Sequence, residues 1–376
     1  MVPRSSALTK NRSKGESTES QAVTDISPII DSLKEALEFS NKTQLRKKVL
    51  EIAKITGESF RQRGDSSVSY LPFRKDLDQI LESKTLERAK YYTKRLLKSL
   101  TESKTNGIND INLYRWKEYD EIITDSLWTF DKRDTSGAHL GWYWGNFVPQ
   151  IPHQIFLRFT KKGDWVLDPF AGSGTTLIEG LRLGRNTIGV DINKETIKRA
   201  ASLIKRETNV FGTSSILKSG DSTKINFEDL CKRNGASRVQ LVIMHPPYHD
   251  IIKFSKNSKD LSNANSVGKF LQGFGQVVKR TYPVLQDGRY LVLVAGDKYQ
   301  NGEWIPLGFY LMEEIIKNGY KLTGIIAKNF EDTRAKREQK KLWRYRALVG
   351  GFYVFKHEYI FIFKKQSKKD SGADRV

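Results

Sequence analysis

The chain has 376 residues, 38% hydrophobic and 28% charged, and at roughly 100–200 residues per domain that length excludes a single small module. Lys and Arg number 64 against 43 Asp and Glu, a formal net charge of +21, which makes a polyanion, nucleic acid first, the natural partner. No run approaches the roughly 18 apolar residues of a membrane span, and the opening MVPRSSALTKNRSKGESTES lacks the apolar core of a secretory signal. The single cysteine, Cys231, excludes intramolecular disulfides and the common zinc-finger spacings. A soluble, cytoplasmic protein without a metal site is expected.

Residues 1–24 are rich in Ser, Thr, Lys and Gly and read as a disordered basic arm, because they cannot bury enough surface to offset the entropy of ordering. From Pro28 to Ser103 the apolar spacing is helical: Ile29, Ile30, Leu33, Leu37; then Leu45, Val49, Leu50, Ile52; then Leu77, Ile80, Leu81, Leu86, Ala89, Tyr92, Leu96, Leu97. This predicts a helical N-terminal region, taken over residues 25–134. From about residue 160 short β-rich runs alternate with helical or turn segments. Strands are predicted at Trp165–Phe170, Thr187–Ile192, Ser214–Ser219, Val239–His245, Arg289–Ala295, Leu322–Lys328 and His357–Lys364. Runs such as VQLVIM and YLVLVA lack strict alternation, which indicates strands buried on both faces in a parallel sheet covered by helices. Seven such strands make a doubly wound α/β domain over residues 135–365, followed by a disordered tail at 366–376.

Val166-Leu-Asp-Pro-Phe-Ala-Gly-Ser-Gly-Thr-Thr176 runs from a buried strand through a glycine-rich turn into a helix. Gly172 and Gly174 permit positive φ and let a ligand approach the backbone. Asp191 closes the next strand, 17 residues after Gly174, where its carboxylate can accept both hydroxyls of a ribose. Leu177 stands where a dinucleotide fingerprint has its third glycine, and the Gly-Lys-Ser/Thr of a P-loop is absent. The second segment, His245-Pro246-Pro247-Tyr248-His-Asp250, ends the fourth strand. Two prolines cannot continue a ladder, so the chain leaves the sheet rigidly at its carboxyl edge, the ligand side of an open α/β sheet. Tyr248 is thereby set to stack on a base, and a backbone carbonyl beside the prolines to accept from an exocyclic amino group.

These residues resemble the S-adenosylmethionine-dependent DNA amino-methyltransferases, which methylate adenine N6 or cytosine N4. Asp168-Pro169-Phe170-Ala171-Gly172-Ser-Gly174-Thr175-Thr resembles their cofactor motif, and His245-Pro-Pro-Tyr248 their Asp/Asn/Ser-Pro-Pro-Tyr, with His at the first position. His139–His153 resembles the segment that closes over the methionine end of the cofactor in some members, and His357-Glu-Tyr-Ile-Phe-Ile-Phe their last strand. The resemblance covers about residues 135–365. It implies a class I methyltransferase (Rossmann-like) fold, a seven-stranded mostly parallel sheet whose last strand inserts antiparallel, behind a helical N-terminal extension. It implies S-adenosyl-L-methionine held by Asp168 to Thr175, Asp191, Ile192 and Asp221, and catalysis by His245, Pro246, Pro247 and Tyr248. The partner is double-stranded DNA of the nucleoid, in a restriction-modification setting. The segment Phe147–Ile155 is closer to the N4 group, so the expected target is cytosine N4, with adenine N6, RNA, or an inactive nucleic-acid-binding module as the alternatives.

Asp221, in Ser-Gly-Asp-Ser, is either the contact to the adenine amino group that the resemblance implies or a turn-capping aspartate. Cys231 follows Leu230 on a helical stretch and reads as packing, which does not fit a cytosine-C5 mechanism, where the nucleophilic Cys follows Pro. His249 and Asp250 read as an orienting pair. The stretch 251–268 reads as a mobile polar loop. The basic connection 329–351, with Arg334, Lys336, Arg337, Lys340, Lys341 and Arg344 beside Trp343, is suited to phosphates and bases. Only about 70 residues separate the two motifs, too few for a recognition domain, so reading of DNA sequence falls to the N-terminal helices, these loops, a second protomer or a specificity subunit.

Overall fold

Residues 26–61, 74–330 and 340–366 are described in a computed structural model of the chain; the expected arm, and all but Gln366 of the expected tail, lie outside them. The first of two units holds α1 (Ser27–Glu38), α2 (Lys42–Arg61), α3 (Arg74–Leu81) and α4 (Leu86–Thr101). Their periodic residues, among them Leu33, Leu45, Val49, Ile80 and Leu96, close a core of their own. Pro28 lies in the first turn of α1, where its missing N–H costs nothing. The Thr85 side chain caps α4 by accepting from the Arg88 N–H.

The second unit begins at Lys104, not at 135, and residues 104–134 are not a helical continuation. Asn106, Asn109 and Asn112 accept through Oδ1 from backbone amides two or three residues ahead. These local bonds compete with a helical ladder and leave only a 3₁₀ turn at Leu113–Glu118 and the short strand β1 (Leu127–Trp128). Asn109 Nδ2 also donates to the Arg158 carbonyl at 2.7 Å, and Trp128 is buried in the core of this unit.

The sheet contains β2 (Trp165–Asp168), β3 (Asn186–Asp191), β4 (Ser215–Ser219), β5 (Val239–Met244), β6 (Leu285–Ala295), β9 (Tyr320–Asn329) and β10 (His357–Lys365), the seven predicted strands, with boundaries shifted by a few residues. Its order is β1-β9-β10-β6-β5-β2-β3-β4, and every pair is parallel except those made by β10. The fold is thus the expected mostly parallel one with an antiparallel last strand, extended at its edge by β1, which is too short to give a sequence signal. A hairpin, β7 (Lys298–Gln300) with β8 (Glu303–Ile305), follows β6.

Alternation along β5 explains its unbroken apolar run. Leu241 and Ile243 pack on one face with Ile151, Ile155 and Phe156 of α5 (Gln150–Phe159). Val242 and Met244 pack on the other against Phe270 and Phe274 of α9 (Val267–Thr281) and Leu311 of α10 (Leu307–Lys317). α6 (Thr175–Leu183) and α7 (Lys194–Ile204) add a cluster with Leu177, Ile178 and Leu203, while α8 (Phe227–Arg233) contributes Phe227 and the buried Cys231 to the core on the α9 side. Strand order reverses between β2 and β5, and the crevice beyond their carboxyl ends is where open α/β sheets bind ligands. Among the described residues, no helix is long and apolar enough to cross a membrane.

Candidate active site

The floor of the crevice is the turn after β2. Asp168, buried at its start, accepts the Phe170 N–H at 2.9 Å, and burial pushes its carboxyl up to about 7. Gly172 and Gly174 have φ of 47° and 80°. A Cβ on Gly172 would stand 3.0 Å from the Tyr143 ring, and one on Gly174 3.0 Å from Ile204, so both positions need glycine for conformation and for space. At the end of β3, Asp191 clamps the same turn: Oδ2 accepts the Gly172 N–H at 2.9 Å and Oδ1 the Asn193 N–H at 2.8 Å. Burial raises the Asp191 carboxyl against the opposing pull of these amides.

The opposite wall follows β5. His245 is half-buried beside Phe147, ring centroids 5.0 Å apart, and burial pushes its imidazole down to about 4 despite the nearby Glu358 carboxylate, so the ring is neutral at pH 7. Its Nε2 lies 3.2 Å from the Tyr248 hydroxyl, which donates to Glu358 Oε2 at 3.0 Å. The turn beyond is pinned by Lys298, 2% exposed, whose ammonium donates to His249 Nδ1 at 2.9 Å and to Asp250 Oδ1. His249 itself takes the left-handed φ of 53° and bonds through Nε2 to the Ala264 carbonyl. The orienting pair expected here is therefore a triad organised by a lysine.

Between the walls a cleft opens to solvent. Of the sequence-predicted residues, Pro169, Phe170, Ala171, Gly172, Thr175, Asp191, Ile192, Asp221, His245, Pro246 and Pro247 line it. Asp168, Gly174 and Tyr248 stand behind the lining: the first two shape the turn, and the third packs its ring where a Cβ on Gly296 would lie 3.0 Å away. Asp221 Oδ1 accepts both the backbone N–H and the hydroxyl of Thr223, so it caps a turn while facing the cleft.

Three contributions go beyond the sequence reading or depart from it. Tyr143 and Asn146 line the cleft, and Asn146 accepts through Oδ1 from the Thr175 hydroxyl at 2.8 Å while its buried Nδ2 has no partner among the described residues. The stretch 251–268 is packed rather than free: Asp260 Oδ1 accepts from the Ser262 N–H and hydroxyl, and Phe254 stacks on Tyr143 at 5.4 Å. Finally, the buried Glu179 of α6 bonds to His139 Nε2 at 2.6 Å and His153 Nδ1 at 2.8 Å, tying the 139–153 segment to the glycine turn. Burial would raise the Glu179 carboxyl, but the two imidazoles outweigh it and hold it below its usual range. The run of aromatics in GWYWGNF was the available signal for a ligand wall; the pairing of Glu179 with two distant histidines left none.

Of the basic connection, Arg334, Lys336 and Arg337 and the side chain of Lys340 lie outside the described residues. Lys341, Trp343 and Arg344 sit on a helix, α11 (Lys340–Gly350), rather than in a loop, since the segment is rich in helix formers and stops at Gly350-Gly351. The Arg346 guanidinium lies over the Trp343 ring at 5.3 Å.

A family model of N6/N4-type DNA methylases matches residues 27–202 and 239–375. Among individual relatives, the chain is 50% identical over 54 residues to the Type II methyltransferase M2.DpnII of Streptococcus pneumoniae, covering 14% of this chain and 20% of that one. It is 33% identical over 86 residues to M.Cfr9I of Citrobacter freundii, covering 23% and 27%. It is 32% identical over 114 residues to M.MthZI of Methanothermobacter thermautotrophicus, covering 26% and 31%. These matches thus span less than a third of each relative. Among solved structures it resembles an S-adenosylmethionine-dependent methyltransferase of Methanosarcina mazei, with TM-score 0.38, 15% identity, and 57% of this chain and 98% of that one covered. TrmN of Thermus thermophilus gives TM-score 0.36 and 16% identity, over 58% and 49%.

Proposed function

Because this chain belongs to the family of N6/N4-type DNA methylases, we propose that it transfers a methyl group from S-adenosylmethionine to the exocyclic amino group of a base flipped out of double-stranded DNA, with cytosine N4 as the target. The observation that carries the reading is the meeting, in one cleft at the β2/β5 switch point, of the Gly172 turn, Asp191 and His245-Pro-Pro.

The cleft fits the cofactor. The turn leaves no Cβ in the way at Gly172, and the buried Nδ2 of Asn146, without a partner among the described residues, offers a donor to an anionic group such as a carboxylate. Asp191 keeps lone pairs free for ribose hydroxyls beside the two amides it already accepts, and Asp221 faces the same space. When bound, S-adenosylmethionine supplies an electrophilic methyl carbon. The protein's own task is to orient the amino nitrogen toward it. Neutral His245 and the Pro246 carbonyl accept from the amino group and draw its lone pair out of conjugation with the ring, while Tyr248, behind the lining, holds the His245 ring through its hydroxyl. No strong general base is required, because the proton leaves after the nitrogen has become positive. Cytosine N4 is favoured by the Phe147–Ile155 segment and by a neutral His where adenine enzymes have an acid.

The deciding experiment incubates the protein with tritiated S-adenosylmethionine and separate DNA, RNA and protein, followed by mass spectrometry of digested product. N4-methylcytosine in DNA is expected. N6-methyladenine overturns the base, 5-methylcytosine the mechanism, and labelled RNA or protein the substrate; no label at all leaves a nucleic-acid-binding module.

A further inference from the structure

Three hydrogen bonds lead from the cleft into the sheet, and together they fix which nitrogen of His245 carries the proton. Glu358 of β10 lies directly opposite Lys328 of β9 in the strand register. Both side chains are buried, and Lys328 Nζ donates to Glu358 Oε1 at 3.2 Å. A carboxylate can only accept, so the Tyr248 hydroxyl, 3.0 Å from Oε2, gives its single proton there. The phenol oxygen then meets His245 Nε2, 3.2 Å away, with lone pairs alone, and Nε2 must be the donor. In the neutral ring Nδ1 is left as the acceptor. It has no hydrogen-bond partner among the described residues, and His245 lines the cleft.

We infer that Lys328 and Glu358 are positioning residues for methyl transfer: through the Tyr248 hydroxyl they hold His245 as its Nε2–H tautomer, so that the Nδ1 lone pair is offered to the amino group of the target base. The inference rests on the role given to His245 above and explains how a histidine can serve there. A carboxylate or amide oxygen accepts whatever its surroundings. An imidazole accepts at one nitrogen only, and in the other tautomer it would direct N–H against N–H. Control of the proton is therefore a requirement that His creates, and the ion pair buried behind Tyr248 meets it.

Nitrogen-15 NMR of the full chain labelled at histidine, with His245 assigned by loss of its signals in His245→Gln, reads the tautomer directly. At pH 7 we expect protonated Nε2 and bare Nδ1; a ring protonated at Nδ1 overturns the inference. The double variant Lys328→Met/Glu358→Leu replaces the ion pair with apolar groups of similar size, a change that folds often tolerate, and leaves the Tyr248 proton free to turn toward Nε2. The Nδ1–H form should then appear, and the single-turnover rate should fall on the order of 100-fold with S-adenosylmethionine affinity within about twofold of wild type. Tyr248→Phe should release the tautomer likewise. An unchanged tautomer or an unchanged rate in these folded variants overturns the inference. If the wild-type protein methylates nothing, the proposed function fails, while the wild-type spectrum still decides the tautomer.

Discussion

At Asp191 one carboxylate holds two backbone amides and still faces the cleft, so its charge serves both the turn and a bound nucleoside. Asp191→Asn should weaken S-adenosylmethionine binding by about 1.5–3 kcal/mol, the usual cost of losing a charged acceptor, measured by calorimetry. Gly174→Val, which meets both a φ of 80° and Ile204, should weaken it as well. Unchanged affinity in both variants would remove the site. Asp168 makes a different prediction because its hydrogen bonds from Phe170 and Thr176 do not offset its burial. Its carboxyl titrates near 7 in the fold against an ordinary 3.8, so the folded protein holds that proton more tightly than the unfolded chain does. This contribution to stability is complete below pH 3.8 and is lost as pH rises through about 7. Urea unfolding at pH 5 and pH 7.5 should show a smaller decline in Asp168→Asn than in wild type; equal declines would mean that Asp168 is ionised in the fold.

The contact between α6 and the 139–153 segment turns on Glu179. Its carboxyl is held below its usual range, so its contribution is present above the unfolded value and lost as pH falls toward the folded one. His153→Ala removes one of the two imidazole partners and should cost about 1–3 kcal/mol at pH 7. Hydrogen exchange should rise at Tyr143–Asn146, and its absence there would show that the segment is held by other contacts. This clamp also marks what the amino-acid sequence could reveal. β5 and β6 were legible because apolar runs report burial on both faces, and the glycine turn was legible because φ near 47–80° selects glycine. The position of Asp191 at the end of its strand followed from the spacing of consecutive βα units, but its grip on the Gly172 and Asn193 amides did not. Glu179, Lys298, Lys328 and Glu358 read as ordinary charged residues, because their partners arrive from 26 to 110 positions away by packing and strand register. Helix α11 was hidden for a related reason: its basic composition reads as a phosphate-binding loop as readily as a helix.

Among the described residues, those lining the cleft all belong to the second unit, and the first unit closes its own core. The piece 104–376 should therefore bind S-adenosylmethionine with wild-type affinity by calorimetry, and a large loss would show that the helical unit supports the cleft. The net charge of +21 predicts that duplex affinity falls with salt at a log–log slope of about −0.9 per phosphate contacted. Neutralising Arg334, Lys336, Arg337, Lys340 and Lys341 together should make that slope shallower; an identical slope would exclude them from the interface. The antiparallel insertion of β10 has one more consequence. Asn329, the last residue of β9, and His357, the first of β10, are register partners on neighbouring strands, so the chain leaves and re-enters the sheet at adjoining points. Near its C-terminal end Phe352 stacks on Tyr299 and Phe355 packs against Trp304 of the β7/β8 hairpin, and neither contact involves His245 or the glycine turn. Exchanging 330–356 for a foreign segment should therefore leave S-adenosylmethionine affinity near the wild-type value by calorimetry, and a large loss would show that the segment supports the cleft as well as bridging the two strands.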